Sequence, residues 1–460
     1  MANLKTKHLL LLLLVLALGS LLLASCTLPG GWDPEETLAT SSVTTDADGN
    51  EPPLSDAEYA AFYELVNKTS LRLVEQYYEQ YYVGEFRTHE DCADEIEEAV
   101  RTMQGIRTVT DARSITALYI DLYARMMGDY YGYYYDPDAY EDYGDDLAGE
   151  YTGIGVSVSV GEDGYAEILN VFPGSPAEEV GMLPGDILIA VEGEDFARIG
   201  YSRAIDRIRG EAGTAVDLTV RRGSSELTFT VVRRAVTEVT VDYRMIGEDI
   251  GYIRIVSFNE RTYEQFVAAH RALDALGAAS YVFDVRYNPG GTLNSVVAIL
   301  EYILPNGPIV RMNYKQDADD SVITSIYDIQ PNYMNGTSRV YYENHEIAEP
   351  MVVLTNGGTA SAGELFTSAL NDYDVATVVG ETTYGKGVGQ SSLPLNGGAY
   401  LVFTVFYYDP PFTGNYNGVG ITPDVRVSLS EEAAGVNIYK LPYEEDAQLQ
   451  YAVGHLTGTN

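Results

Sequence analysis

The hydrophobic positions change their spacing along the chain, and the changes mark its segments. Leu9 to Leu18 is an unbroken apolar run, preceded by Lys5 and Lys7 and followed by Gly19-Ser20 and Leu21-Leu22-Leu23-Ala24-Ser25-Cys26. Thr27 to Leu54 has no hydrophobic period and is rich in Thr, Ser, Asp, Glu, Pro and Gly, which predicts a disordered tether over 26–54. From Ser55 to Leu147 apolar residues recur three and four apart (Phe62, Leu65, Val66; Leu71, Val74; Ile115, Leu118, Tyr119, Leu122), the period of amphipathic helices. Between 148 and 235 the pattern becomes short alternating strands, such as Ile154–Val160 and Val216–Val220. From 236 to 457 it is mixed: strands at Ile250–Ile255, Ser280–Arg286 and Met351–Thr355, and a helix at Thr262–Leu276. Two of those strands run into glycine-rich loops, Asn288-Pro289-Gly290-Gly291 and Asn356-Gly357-Gly358-Thr359-Ala360-Ser361, each followed by a helical pattern. The fold class expected is a multidomain α/β protein with a helical N-terminal region.

Composition narrows the choice of partners. The 460 residues suggest about two to four domains. With 68 Asp and Glu against 28 Lys and Arg the net charge is -40, so a phosphate backbone is repelled and nucleic acid is excluded as a partner. Cys26 and Cys92 are the two cysteines, too few for a disulfide framework or a four-cysteine metal site. The histidines number five: His8, His89, His270, His345 and His455.

Basic residues, an apolar core and a small-residue end have the layout of a secretory signal over 1–25. Leu23-Ala24-Ser25-Cys26 resembles the bacterial lipoprotein box, which implies lipidation of Cys26, an extracytoplasmic location and attachment to a membrane. A tether of this length has a mean reach of roughly 30 Å.

The segment 148–235 resembles a PDZ domain. The residues that carry the likeness are Gly153-Ile154-Gly155-Val156, Gly174-Ser175-Pro176-Ala177-Glu178-Glu179-Val180-Gly181-Met182, Pro184-Gly185-Asp186-Ile187-Leu188, and a helix near Ser202–Ile208. Backbone N–H groups near small residues can hold a peptide's terminal carboxylate while the adjoining strand edge adds the peptide as an extra strand. Gly153, Ile154, Gly155 and Val156 are therefore the peptide-binding candidates.

Ser361 lies where a buried strand meets a helix, a place that offers unpaired N–H groups and partial positive charge to a developing oxyanion. The same residue fits a capping box with Glu364, and the local sequence leaves nucleophile and cap equally open. A serine nucleophile needs a base. No histidine falls at such a junction, whereas Lys386 sits between Gly385 and Gly387; a lysine that loses hydration becomes a neutral acceptor more readily. The P-loop spacing that would make it a phosphate grip is missing.

Four motifs, Asp284-Val285-Arg286-Tyr287-Asn288-Pro289-Gly290-Gly291, Thr359-Ala360-Ser361-Ala362-Gly363-Glu364, Gly380-Glu381-Thr382-Thr383-Tyr384-Gly385-Lys386-Gly387 and Gly418-Val419-Gly420-Ile421-Thr422-Pro423-Asp424-Val425, resemble those of the C-terminal processing peptidases, in that family's order and behind a PDZ-like segment. The resemblance implies a ClpP/crotonase-like core, Ser361 as nucleophile, Lys386 as general base, Gly291 and the Ala362 amide as oxyanion donors, and Gln390 orienting the lysine. Asp372 matches an acidic position important in some members. The implied protein is an endopeptidase without cofactor or metal whose partners are protein or peptide C-termini, with self-association allowed for. Gly363 and Tyr287 depart from the common Ser and Asn of these motifs. Two rival readings are a catalytically silent peptide-binding scaffold and a crotonase-like acyl-group enzyme. Intact Ser361 and Lys386 oppose the first, and export together with the PDZ segment opposes the second.

Overall fold

A computed structural model describes residues 51–160, 163–305, 307–315, 322–328 and 347–459, apart from 435, 437 and 439. Residues 1–50, with the expected signal, Cys26 and most of the expected tether, lie outside these. The described chain forms two units. One holds the residues up to Tyr140, Lys315 and Gln390–Phe406; the other holds Glu141–Tyr314, Val322–Gly389 and the chain from Tyr407 on.

The first unit is built on helices Asp56–Glu64, Lys68–Tyr81, His89–Thr102 and Ala112–Met126, whose N-caps are Ser55, Asn67, Thr88 and Asp111. Each cap side chain accepts a hydrogen bond from a main-chain N–H in the first turn, so the starts are written in the sequence. Phe62, Val74, Tyr78, Ile96, Val100, Ile115, Tyr119 and Tyr123 fill the core, and Cys92 is buried there as a free thiol. The tether gives way to folded chain before Ser55. Leu54 is buried, with its N–H donating to the Arg101 carbonyl (2.9 Å), and Arg107 donates to the Pro52 carbonyl (2.9 Å).

A serial division at residue 236 also fails for one segment. Leu395, Ala399, Leu401, Phe403 and Val405 pack into the helical core, and residues 400–402 pair antiparallel with Tyr133–Tyr135. Part of the stretch 55–147, expected to be helical, is thus a short strand. The alternation Leu401, Phe403, Val405 gives that stretch one apolar face, and the helices supply its cover.

The second unit carries a β-rich domain and an α/β core. In the former, strands Val156–Val160, Ala166–Val171, Ile187–Val191, Ala215–Arg222 and Ser225–Val232 form one antiparallel sheet in that order. The helix Tyr201–Ile208 contributes Ala204 and Ile208 to its core. In the latter, a six-stranded sheet runs Val241–Ile246, Ile250–Ile255, Ser280–Asp284, Met351–Thr355, Ala376–Gly380, Val425–Arg426; its first pair is antiparallel and the rest parallel. Both faces of this sheet are covered, which is why its middle strands are apolar without alternation. Val282, Val352 and Leu354 pack against Leu449 and Ala452 of helix Ala447–Thr457. On the opposite face the Phe283 ring lies 5.7 Å from both Phe266 and Phe366, on helices Thr262–Ala275 and Ala362–Asp372.

Candidate active site

Parallel strands all deliver their C-terminal ends to one edge of a sheet, and sites collect there. Ser280–Asp284 leads into the Gly290-Gly291 turn, Met351–Thr355 into the Ser361 loop, and Ala376–Gly380 into the Lys386 loop. These strands are successive neighbours, so three motifs far apart in sequence become adjacent.

Contact between the first two loops is direct. A Cβ at Gly290 would lie 2.6 Å from Ser361 Cβ and 2.9 Å from the Ala362 amide nitrogen, so a side chain there would displace the nucleophile candidate. At Gly291 a Cβ would fall 2.1 Å from the Phe258 carbonyl oxygen. Asn288, fully buried, shapes this turn: its Nδ2 donates to the Ile255 carbonyl (2.8 Å), its Oδ1 accepts from Gly290 N–H (2.8 Å), and its carbonyl accepts from Ala360 N–H (2.8 Å).

The carboxylate of Glu364, 0% exposed, ties the second loop to the third. Its Oε2 accepts from the main-chain N–H of Ser361 (3.0 Å) and of Lys386 (2.7 Å). Its Oε1 accepts from Gly385 N–H (2.7 Å) and Thr383 Oγ1 (2.5 Å). Burial pushes this carboxyl above its ordinary value, against the pull of the hydrogen bonds from Thr383, Lys386, Gly385 and Ser361. The Lys386 carbonyl accepts from Tyr408 Oη (2.6 Å), and Gly418-Val419-Gly420 backs the lysine loop, with Gly418 N–H donating to the Gly385 carbonyl (2.8 Å).

The Ser361 backbone itself is unusual for the start of a helix. Ser361 and Glu364 stand in capping-box register, and Glu364 closes the helix start by accepting from the Ser361 N–H (3.0 Å). Ser361 has φ 54 and ψ -119, a backbone conformation rare for a side-chain-bearing residue and typical of strained turns that expose a nucleophile.

Ser361, Ala362, Gly291 and Lys386 are thus brought to one place. Asp372 is not. It ends the helix that Ser361 begins, about 15 Å away at 1.5 Å per residue, and its carboxylate accepts from Phe412 N–H (2.6 Å), Thr413 N–H (2.9 Å) and Thr413 Oγ1 (2.9 Å). It fastens the 412–413 loop. Gln390 belongs to the helical unit, where its Nε2 lies 3.5 Å from Thr404 Oγ1; Thr404 is held in turn by the buried Asp129, through its N–H (3.0 Å) and Oγ1 (2.8 Å). Among the described residues, His89, His270 and His455 contact Tyr119, Tyr302 and Thr377 respectively.

Two features escaped sequence reasoning. The clamp by Glu364 was visible only as a capping partner. A buried ion network next to the Gly290-Gly291 turn left no local signal. Asp284 accepts from Arg286 (2.6 Å), Arg254 (3.0 Å) and Tyr252 Oη (2.7 Å), and Arg286 also bonds Asp446 (2.8 Å) and Gln448 (2.9 Å). Burial alone would raise the Asp284 carboxyl, but the guanidinium groups of Arg286 and Arg254 hold it well below the usual range.

In the β-rich domain a groove of about 210 Å³ is lined by Gly153, Ile154 and Val156 on one side and Tyr201, Ile205 and Ile208 of the helix on the other. Gly155 lies in the same loop with its carbonyl accepting from Phe172 N–H (2.9 Å); a Cβ there would meet Ser175 Cβ at 2.3 Å.

The serine and lysine loops gathered at one sheet edge, in a chain that also carries a grooved β-rich domain, have the make-up of a serine-type peptidase with a PDZ domain. Residues 249–427 match Peptidase family S41 and residues 167–222 match a PDZ domain. The chain is 33% identical over 331 residues to the carboxyl-terminal-processing protease of Synechocystis, covering 70% of this chain and 72% of that one. It is 31% identical to the carboxy-terminal-processing protease of Bartonella bacilliformis, covering 66% and 68%, and 31% identical to the carboxy-terminal processing protease CtpB of Bacillus subtilis, covering 70% and 64%. The chain belongs to the carboxyl-terminal processing protease family.

Proposed function

We propose that this peptidase captures protein C-termini in its PDZ groove and cleaves them upstream with a Ser361/Lys386 dyad. The observation that carries the dyad is the shared Glu364 carboxylate, which binds the main chains of both residues, with Gly290 packed against Ser361 and Ala362. Neutral Lys386 Nζ takes the proton of Ser361 Oγ as the oxygen attacks the scissile carbonyl carbon. The N–H groups of Gly291 and Ala362 receive the oxyanion. Collapse of the tetrahedral adduct breaks the C–N bond, Lys386 returns the proton to the leaving amine, and water then hydrolyses the seryl ester. Incubating the protein and its Ser361→Ala form with an envelope extract, and reading new protein C-termini by mass spectrometry, tests this reading. Identical termini from both forms would overturn it.

Recognition by the PDZ groove has its own test. If loop amides at 153–156 hold a terminal carboxylate, amidating the peptide removes charge-assisted hydrogen bonds worth roughly 1.5–3 kcal/mol each. Affinity measured by calorimetry is expected to fall by about one to two orders of magnitude. Equal affinity for acid and amide would reduce the groove to a packing feature.

We infer further that Cys26 is lipidated after removal of the signal, so that the enzyme works outside the cytoplasm at a membrane surface. Support comes from the lipoprotein-box resemblance of Leu23-Ala24-Ser25-Cys26. Cys26→Ser is expected to block lipid labelling and processing, and a labelled, membrane-bound Cys26→Ser protein contradicts the anchor.

A further inference from the structure

Large apolar side chains left in water are unusual enough to be informative where they gather, and three gather on the active-site loops: Tyr287 is 54% exposed, Tyr384 59% and Val419 74%. Two of them are fixed to the short segment that precedes Ser361. The N–H of Tyr287 donates to Asn356 Oδ1 (2.9 Å), and the N–H of Tyr384 donates to the Thr359 carbonyl (2.9 Å). Tyr287 lies in the turn that carries Gly290 and Gly291, and Tyr384 lies in the lysine loop, two residues before Lys386. The two tyrosines therefore emerge from opposite neighbours of the same pre-nucleophile segment. Val419 stands beside Tyr384, since a Cβ at Gly385 would lie 3.0 Å from the Val419 amide nitrogen.

Tyr287 is also held against its backbone preference. Its φ is 60, in the left-handed region, where a bulky aromatic residue is a genuine outlier and where Asn or Gly would sit without strain. The site is shaped to keep the ring: a Cβ at Gly358 would lie 2.8 Å from Tyr287 Cδ1 and 3.1 Å from its Cα. A half-exposed ring kept at the cost of strain, seated on a glycine and beside the nucleophile loop, is the pattern of a functional side chain.

Resting on the serine-peptidase reading above, we propose that Tyr287 and Tyr384 are specificity-determining residues: their rings flank the bound substrate next to the scissile bond and select a bulky apolar side chain there. Burying such a side chain against the rings removes apolar surface of both partners from water, whereas a charged side chain at that position would lose hydration without gaining a partner. Tyr287 is the discriminating member because it is the residue the turn could most easily have done without.

The test is a mixture of peptides that share one apolar C-terminal tail and carry Leu, Phe, Ala or Glu at randomised internal positions, digested by the full-length enzyme, with both new ends read by mass spectrometry. Wild type is expected to enrich Leu and Phe over Ala and Glu beside the cut. In Tyr287→Asn, chosen because Asn tolerates the left-handed conformation, the Leu-to-Ala ratio of kcat/KM is expected to fall roughly tenfold, with the melting temperature equal or higher. Tyr287→Phe is expected to keep the ratio, and Tyr384→Ala to lower it. An unchanged ratio in both Tyr287→Asn and Tyr384→Ala overturns the assignment, as does a proportional loss on every peptide. Cleavage that persists in Ser361→Ala would instead sink the catalytic reading, a failure recognisable because it leaves the wild-type ratio intact.

Discussion

Ser361→Ala and Lys386→Ala are each expected to reduce peptide hydrolysis by about three orders of magnitude or more, while peptide binding to the PDZ groove persists. In the proposed dyad the nucleophile and its base act as a unit, so losing either removes the whole acyl-enzyme route. The groove is lined by residues from 145 to 238, none of which belongs to the serine or lysine loops. A pH–rate profile adds a second handle. Only the neutral amine can take the Ser361 proton, so the rate is expected to rise with pH, without a limb near the ~6.5 of an unperturbed histidine. Substantial turnover by Lys386→Ala in a stopped assay would show that another group is the base. Glu364 makes the interpretation sharper, because its carboxylate accepts from the main-chain N–H of both residues and holds the lysine loop further through Gly385 N–H and Thr383 Oγ1. Loss of activity in the two alanine variants is thus read on a frame that their side chains do not build.

The second large effect concerns stability. Arg286→Ala is expected to cost about 3–5 kcal/mol in urea unfolding, because it leaves two buried carboxylates without their main partner. Asp284 is 0% exposed and Asp446 4% on their side chains, and Arg286 bonds both. Arg254 remains on Asp284 at 3.0 Å, so the loss is expected to stop short of unfolding that carboxylate's surroundings entirely. The pH dependence follows in sign. A carboxyl held below its ordinary value stabilises the fold above the unfolded-state value near ~3.9, and that contribution fades as pH falls below it. Wild type should therefore lose stability on acidification more steeply than Asp284→Asn. A change under about 1 kcal/mol in Arg286→Ala would mean that the network is replaceable by solvent, contrary to its burial. Activity should drop with stability in this variant, since Asp284 ends the strand that leads to the Gly290-Gly291 turn.

Much of this protein could be read from its sequence because the signals are local. The strand Ile250–Ile255 and the helix starting at Thr262 fall where periodicity placed them, and each N-cap of the helical unit is a residue whose side chain suits the role. The glycines before Ser361 and around Lys386 announced loops that must approach other backbone closely. Tertiary structure decided what local signals do not contain. A one-dimensional pattern assigns a face to Leu401, Phe403 and Val405 but not the partner that covers it, and these residues went to the helices instead of the α/β core. Asp372 was a candidate because it matches an acidic position of the resembled family, yet a helix's rise carries it to the other end and to the 412–413 loop. Ser361-x-x-Glu364 gave the same letters for a cap and for a catalytic turn. Only the parallel order of three strands, which sets the lysine loop beside that glutamate, turned a capping residue into the clamp that joins Ser361 to Lys386, because the energy of a buried carboxylate depends on which donors surround it in space.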